Sequence, residues 1–237
     1  MIYDYIALDV ETTGLNPARD RLLEIGAAKV RQGEVAETYH TLIDTGIPVP
    51  ARIQELTGIT DAMQKTGKKI GEAIRGFLEF RGDLPVVGHN VIFDFGFLKQ
   101  AAVAEGSSFE TEALDTLKIA RRVLPELPSK ALGALCSCYG IHPGNAHRAM
   151  DDALSAHELL KKLWSQFGPS DPGAFALQKL IYEAKKQSPI TNPQKGYLND
   201  LLKYHKIKTD VQIEDLTKSE ASRMIDHIIL QYGKILR

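Results

Sequence analysis

The sequence predicts an α/β fold, a mixed sheet with helices packed on it, from three observations. Before residue 44, apolar runs rich in β-branched residues are split by a short glycine turn, as in a strand meander. Between residues 70 and 167, segments of helical period alternate with brief apolar runs. Beyond residue 173 the pattern is helical throughout. A meander followed by alternating helices and strands is the signature of a mixed sheet covered by helices.

Ile2–Val10 is an apolar run that ends in an acidic pair and reads as the first strand. Arg21–Val30 and Glu34–Ile43 are the next two, joined through Arg31-Gln32-Gly33. Pro48 and Pro50 break the pattern, and Ala51–Thr57 has room for one or two helical turns before Gly58. Ile70–Phe80 places apolar residues at 70, 73, 74, 77 and 78, one helical face. Leu84–Val87 is a short buried strand stopped by Gly88, and Val91–Ala104 is the helix behind it. Glu112–Leu114 is a last short strand, followed by a helix over Asp115–Leu124 that stops at Pro125. Helices over Lys130–Tyr139 and Ala149–Phe167 complete a first domain, residues 1–167.

Gly168-Pro-Ser-Asp-Pro-Gly173 reads as a linker, residues 168–173. Residues 174–237 are then expected to form a small helical module. Gln178-Lys-Leu-Ile-Tyr182 resembles a sliding-clamp peptide only faintly and reads instead as part of an amphipathic helix. Thr191-Asn-Pro193 starts one helix of the module, with Tyr197, Leu198, Leu201 and Leu202 on its apolar face. Thr217-Lys-Ser-Glu220 is a capping box. Behind it, Ala221, Met224, Ile225, Ile228, Ile229 and Tyr232 form one stripe.

Composition narrows the function. In 237 residues, 43% are hydrophobic and 25% charged, ordinary for a globular protein and unlike a disordered or disulfide-stapled chain. No apolar run is long enough to span a bilayer, and the N-terminal sequence has no basic, apolar leader pattern. The protein is therefore expected in the cytoplasm, without a membrane partner. Cys136 and Cys138 are two apart, a poor zinc pattern, and are expected to be reduced thiols. Residues 1–167 hold 18 Lys/Arg against 22 Asp/Glu, whereas residues 168–237 hold 11 against 8. An acidic domain is a poor electrostatic footprint for nucleic acid unless its carboxylates bind cations that reverse the local sign.

Five residues stand out by position. Asp9 and Glu11 flank Val10, and residues two apart on a strand share a face. Two carboxylates side by side repel unless a cation lies between them. Thr12-Thr-Gly-Leu15 follows, with small residues and a glycine that allow close backbone approach by a ligand. Asp94 lies in His89-Asn-Val-Ile-Phe-Asp, on the first turn of a helix, where an acid is ordinarily a surface residue favoured by the helix dipole. Asp152 lies in His147-Arg-Ala-Met-Asp-Asp, at the start of the last helix of the domain, with His147 on the loop before it. Each segment alone is an ordinary pattern; the three together, in this order and at domain-scale spacing, are not.

Together they resemble the DnaQ-like exonucleases of the DEDDh type, within the RNase H-like superfamily, and in particular the epsilon-type proofreading domain. Leu-Leu-Glu-Ile-Gly at 22–26, Leu-Thr-Gly-Ile-Thr at 56–60 and Asp115-Thr-Leu117 fit the same resemblance, which covers about residues 1–165. It implies an RNase H-like mixed five-stranded sheet flanked by helices. It also implies catalytic roles for Asp9, Glu11, Asp94, His147 and Asp152. The four acids would ligate two Mg²⁺ or Mn²⁺ ions, hard cations that take oxygen ligands. The histidine would be the general base, for which an ordinary pKa of about 6.5 is suited. By the same resemblance Thr12, Thr13, Leu15, Leu56, Thr57, His89 and Phe93 would line the pocket for the terminal nucleotide.

The activity implied is 3′→5′ release of nucleoside monophosphates from single-stranded or frayed 3′ ends, DNA before RNA. An RNA-trimming exonuclease of the same fold is the alternative within that class. A module that holds nucleic-acid ends without cleaving them is the alternative outside it. The helical module is open to a protein partner.

Overall fold

The computed structural model describes residues 2–142, 144, 146–185, 188–209 and 211–235. A twisted sheet runs in the order β3-β2-β1-β4-β5-β6. Strands β1 (Tyr5–Thr12), β2 (Leu22–Arg31) and β3 (Glu34–Leu42) form the antiparallel meander. β4 (Val86–Gly88) and β5 (Glu112–Asp115) add in parallel to the other edge of β1. Parallel neighbours need a helical crossover, and α3 (Ile70–Arg81) and α4 (Val91–Ala104) lie before and after β4.

Alternation along β1 divides the interior into two layers. Ile6, Leu8 and Val10 face α3 and α4, in a core with Ile74, Phe77, Phe95 and Phe109. Tyr5 and Ala7 face the other way, against Leu159, Leu160 and Leu163 of α7 (Ala149–Phe167). Asp9 and Glu11 continue this second series, so both carboxylates point to the α7 side. Two short helices, α1 (Ala51–Thr57) and α2 (Asp61–Gln64), pass over the end of the meander, while α5 (Thr116–Val123) and α6 (Leu132–Tyr139) flank α7.

The expected sheet needs two corrections. β1 starts at Tyr5 and runs two residues past Val10 to Thr12, so Glu11 lies within the strand with Asp9. A sixth strand, β6 (Gln178–Lys179), pairs antiparallel with β5. The segment expected to be an amphipathic helix is thus extended, with Leu180 buried under the sheet and Ile181 in solvent. The unpaired edge of β5 is a stronger partner for a short apolar run than an isolated turn of helix.

The expected linker at 168–173 is mostly exposed, but the chain straight after it packs on the core. Pro172–Phe175 form a 3-10 turn, and Phe175 meets Trp164 edge to face, 5.1 Å between ring centres. The module's own core starts at Ile190. There α8 (Asn192–Tyr204) and α9 (Lys218–Tyr232) bury Leu198, Leu201, Leu202, Leu216, Ala221, Ile225 and Ile228. Both helices begin in capping boxes, Thr191 with Gln194 and Thr217 with Glu220. Ile47, from the loop after the meander, packs into the same cluster. Cys136 is buried and Cys138 exposed, and both are free.

Candidate active site

The carboxylates come together where three elements meet. Asp9 pairs in register with Gly26 of β2, and Glu11 with Glu24. α4 brings in Asp94 from the opposite layer. Its entry is a sharp turn with Asn90 in the left-handed region, φ 69°, whose amide donates to Asp115 at 3.0 Å. Asp94 is buried and its Oδ1 accepts the Val10 amide at 2.9 Å, between the two β1 acids. α7 brings Asp152 in its first turn, and Asp152 Oδ2 accepts the His147 amide at 3.1 Å. Glu11, His147 and Asp152 place ligand atoms within 4.8 Å of one another.

Such crowding is electrostatically costly without a cation. Burial, then the charges of Asp94, Glu11 and Asp152, raise the Asp9 pKa well above the usual carboxylate range. Burial, then Asp152 and Glu24, push Glu11 up to about 8. Asp94 and Asp152 are raised too, burial again being the main cause. A divalent cation would offset both effects, and the donors present are hard oxygens, the set that Mg²⁺ and Mn²⁺ take. The residues therefore fit the expected metal.

Two residues to which the sequence assigns no role of their own, Glu24 and Arg148, hold this arrangement. Glu24 is fully buried, and its carboxylate accepts from His40 Nε2 at 2.6 Å, Arg148 at 2.6 Å and the Ala149 amide at 3.0 Å. Burial would raise its pKa, but the bonds from His40, Arg148 and Ala149 prevail and bring it down to about 2. This ties the start of α7 to β2. His147, next to Arg148, is exposed and sits in the left-handed region at φ 63°, unusual for a side chain other than glycine. Gly26 completes the joint: a Cβ there would lie 2.2 Å from the Ala149 carbonyl carbon, so only glycine lets α7 approach so closely. The signal in the sequence is a lone acid and a glycine inside the apolar run 22–26.

The expected pocket residues divide in two. Leu15 and Leu56 expose large apolar side chains, 85% and 50%, and Phe93 is half-buried against Phe97. The others are engaged inside the fold. Thr12 Oγ1 donates to the Gly14 carbonyl, Thr13 Oγ1 accepts the Arg21 amide, and Thr57 Oγ1 donates to the Ile53 carbonyl. His89 Nε2 lies 2.8 Å from the Lys130 carbonyl and Nδ1 2.9 Å from the Thr116 hydroxyl, and burial lowers its pKa.

The model of the exonuclease family matches residues 6–160. The chain belongs to the exonuclease family. Among relatives of this exonuclease domain, DNA polymerase III subunit epsilon of Aquifex aeolicus is 36% identical over 172 residues, 70% of this chain and 85% of that protein. The PolC-type DNA polymerase III of Clostridium perfringens is 37% identical over 158 residues, 67% of this chain. The chain spans only 11% of that protein's length. Exonuclease X, solved with 5′ overhanging duplex DNA, superposes with a TM-score of 0.57 at 25% identity, over 70% of this chain and 93% of that one. E. coli exonuclease I, solved with a dA16 oligonucleotide, shares the fold with a TM-score of 0.62 at 21% identity, over 73% of this chain and 42% of that one. No helix among the described residues is long and apolar enough to cross a membrane.

Proposed function

We propose that this exonuclease-family chain is a metal-dependent 3′→5′ exonuclease that acts on DNA in preference to RNA in the cytoplasm. The observation that carries the proposal is the convergence of Glu11, His147 and Asp152 within 4.8 Å, beside the half-buried Asp9 and the buried Asp94. The names of the relatives, a polymerase III epsilon subunit and PolC-type polymerases, favour DNA.

Asp9 with Glu11 and Asp152 would hold one Mg²⁺ or Mn²⁺ ion, and Asp9 with Asp94 a second. When bound, two such ions would supply an activated water and charge neutralisation at the leaving oxygen. His147 would take the proton from the attacking water, and its exposed loop position suits exchange of that proton with solvent. Asp152 orients the histidine through the His147 amide. Leu15, Leu56 and Phe93 would hold the terminal base of a single-stranded or frayed 3′ end. Thr12, Thr13, Thr57 and His89 would shape the backbone behind it. The helical module would bring a protein partner or more of the substrate.

The test is a gel assay on 5′-labelled DNA and RNA single strands. Stepwise shortening with Mg²⁺ or Mn²⁺, abolished by EDTA and faster on DNA, is the expected result. Faster shortening of RNA would favour the RNA-trimming reading. Binding without shortening in either metal would leave only an end-binding module.

A further inference from the structure

A second feature lies outside the catalytic cluster, where the exonuclease domain meets the helical module. A recess of about 690 Å³ is lined by Ala18, Arg19, Lys185, Ser188, Thr217, Lys218, Ser219, Ser222 and Arg223. Among the described residues its lining holds cations and hydroxyls and no carboxylate. Arg19, Lys185, Lys218 and Arg223 are exposed, and among the described residues none of them is ion-paired. Among the described residues Arg223 donates to the Arg19 carbonyl alone, at 3.1 Å. Uncompensated cations drawn together from separate segments repel one another, so the recess is set to receive a polyanion.

The cations are held in place. Arg21, two residues from Arg19, makes a two-pronged bond to Glu220 at 2.7 and 2.6 Å, and also donates to the Thr45 carbonyl. Glu220 lies between Lys218 and Arg223 on α9. Burial would raise its pKa, but Arg21 and Thr217 hold it down and keep it charged. The same loop is closed at its stem by Thr13 and Arg21, and stiffened by Asn16, whose side chain accepts the Ala18 amide. Thr13 is two residues past Glu11, and the six residues from Thr13 to Arg19 span at most about 20 Å. The recess therefore opens within about 20 Å of the strand end that carries Glu11, a few nucleotides' length away.

We propose that this recess binds the phosphodiester backbone of the substrate strand upstream of its 3′ end, an inference that rests on the exonuclease reading. The basic module then has a defined role, since it offsets the acidity of the catalytic domain where the strand leaves the site. The volume is far larger than one phosphate needs, and a mixed lining of hydroxyls and cations suits a sequence-independent track.

The experiment compares the full chain with Arg19→Ala/Lys218→Ala/Arg223→Ala on two probes. One is single-stranded dT20, with binding read by fluorescence anisotropy in EDTA. The other is the p-nitrophenyl ester of thymidine 5′-monophosphate, which has no upstream phosphate, with hydrolysis read in Mn²⁺. The triple variant should bind dT20 more weakly at low salt and hydrolyse the small ester at the wild-type rate. Each lost contact should flatten the log-affinity against log-salt slope by about 0.7. The difference from wild type should then shrink roughly twentyfold between 50 and 200 mM salt for three contacts. Lys218→Ala alone, which breaks no bond of the fold, should flatten the slope by about 0.7. Ser222→Glu should weaken dT20 binding in the same direction. An unchanged dT20 affinity and slope in the triple variant overturns the proposal, as does a parallel loss on the small ester. A wild-type protein that hydrolyses neither substrate overturns the exonuclease reading instead, while the EDTA binding curves still report on the recess.

Discussion

The two sides of the carboxylate cluster are built in opposite ways. On one side, Asp9 and Asp94 come from the centre of the sheet and from a buried helix turn, locked together through the Val10 amide. On the other, His147 stands on an exposed loop in a left-handed conformation, its amide held by the Asp152 carboxylate and its neighbours Arg148 and Ala149 held by Glu24. Groups that would hold a metal must not move when a metal is absent, despite mutual repulsion, and this calls for a rigid frame. A group that passes a proton to solvent needs access, and here access is combined with a tether one residue away.

The largest expected effect comes from removing a carboxylate on either side. Asp9→Ala or Asp152→Ala should abolish cleavage in the gel assay. In EDTA at pH 8 either variant should melt no lower than wild type, and Asp9→Ala higher, because repulsion with Asp94 and Glu11 is relieved. Mg²⁺ should raise the melting temperature of wild type and leave that of Asp9→Ala in place. Near-wild-type turnover in either variant would remove that acid from the site.

His147→Ala should slow cleavage by roughly 10²–10⁴ while metal affinity, measured by calorimetry, stays intact. A loss of metal affinity matching that of Asp152→Ala would make the histidine a ligand and erase the contrast between the two sides.

Arg148→Ala tests the tether. It should lower turnover by about 10–100-fold, the usual range for a residue that orients a functional neighbour, with little change in KM for a short oligonucleotide. Unchanged turnover would show that the loop needs no anchor.

The smallest effect is on stability against pH. Glu24 has its folded pKa lowered to about 2 from an ordinary 4.5, so its stabilisation is present above 4.5 and lost as the pH falls towards 2. Glu24→Gln should be less stable than wild type at neutral pH by on the order of 3 kcal/mol, and the two denaturation curves should converge in acid. A difference that persists at pH 2 would assign the effect to packing.

The long helices are legible in the sequence because burial imposes their period. α4 and α7 have the boundaries that the apolar spacing indicates, and the catalytic-type acids lie on the elements expected. What the sequence hides depends on distant partners. β6 is two residues long and exists because β5 offers an open edge. Glu24 and Arg148 are 124 positions apart, and although Glu24 stands out as an acid inside an apolar run, nothing local names Arg148 as its partner. The composition at 168–173 reads as a linker and gives no sign that Phe175 returns to the core.

The Arg21–Glu220 bond also sets an order in time. Its partners are 199 positions apart, and the proposed catalytic residues other than Asp9 and Glu11 all lie within that span. During synthesis, at about 5–20 residues per second, α7 is complete several seconds before Glu220 has been made. A ribosome-bound chain therefore has every element of the carboxylate cluster while Arg21 still lacks its carboxylate. The nuclease side can mature first, and the basic recess closes against a surface that is already folded.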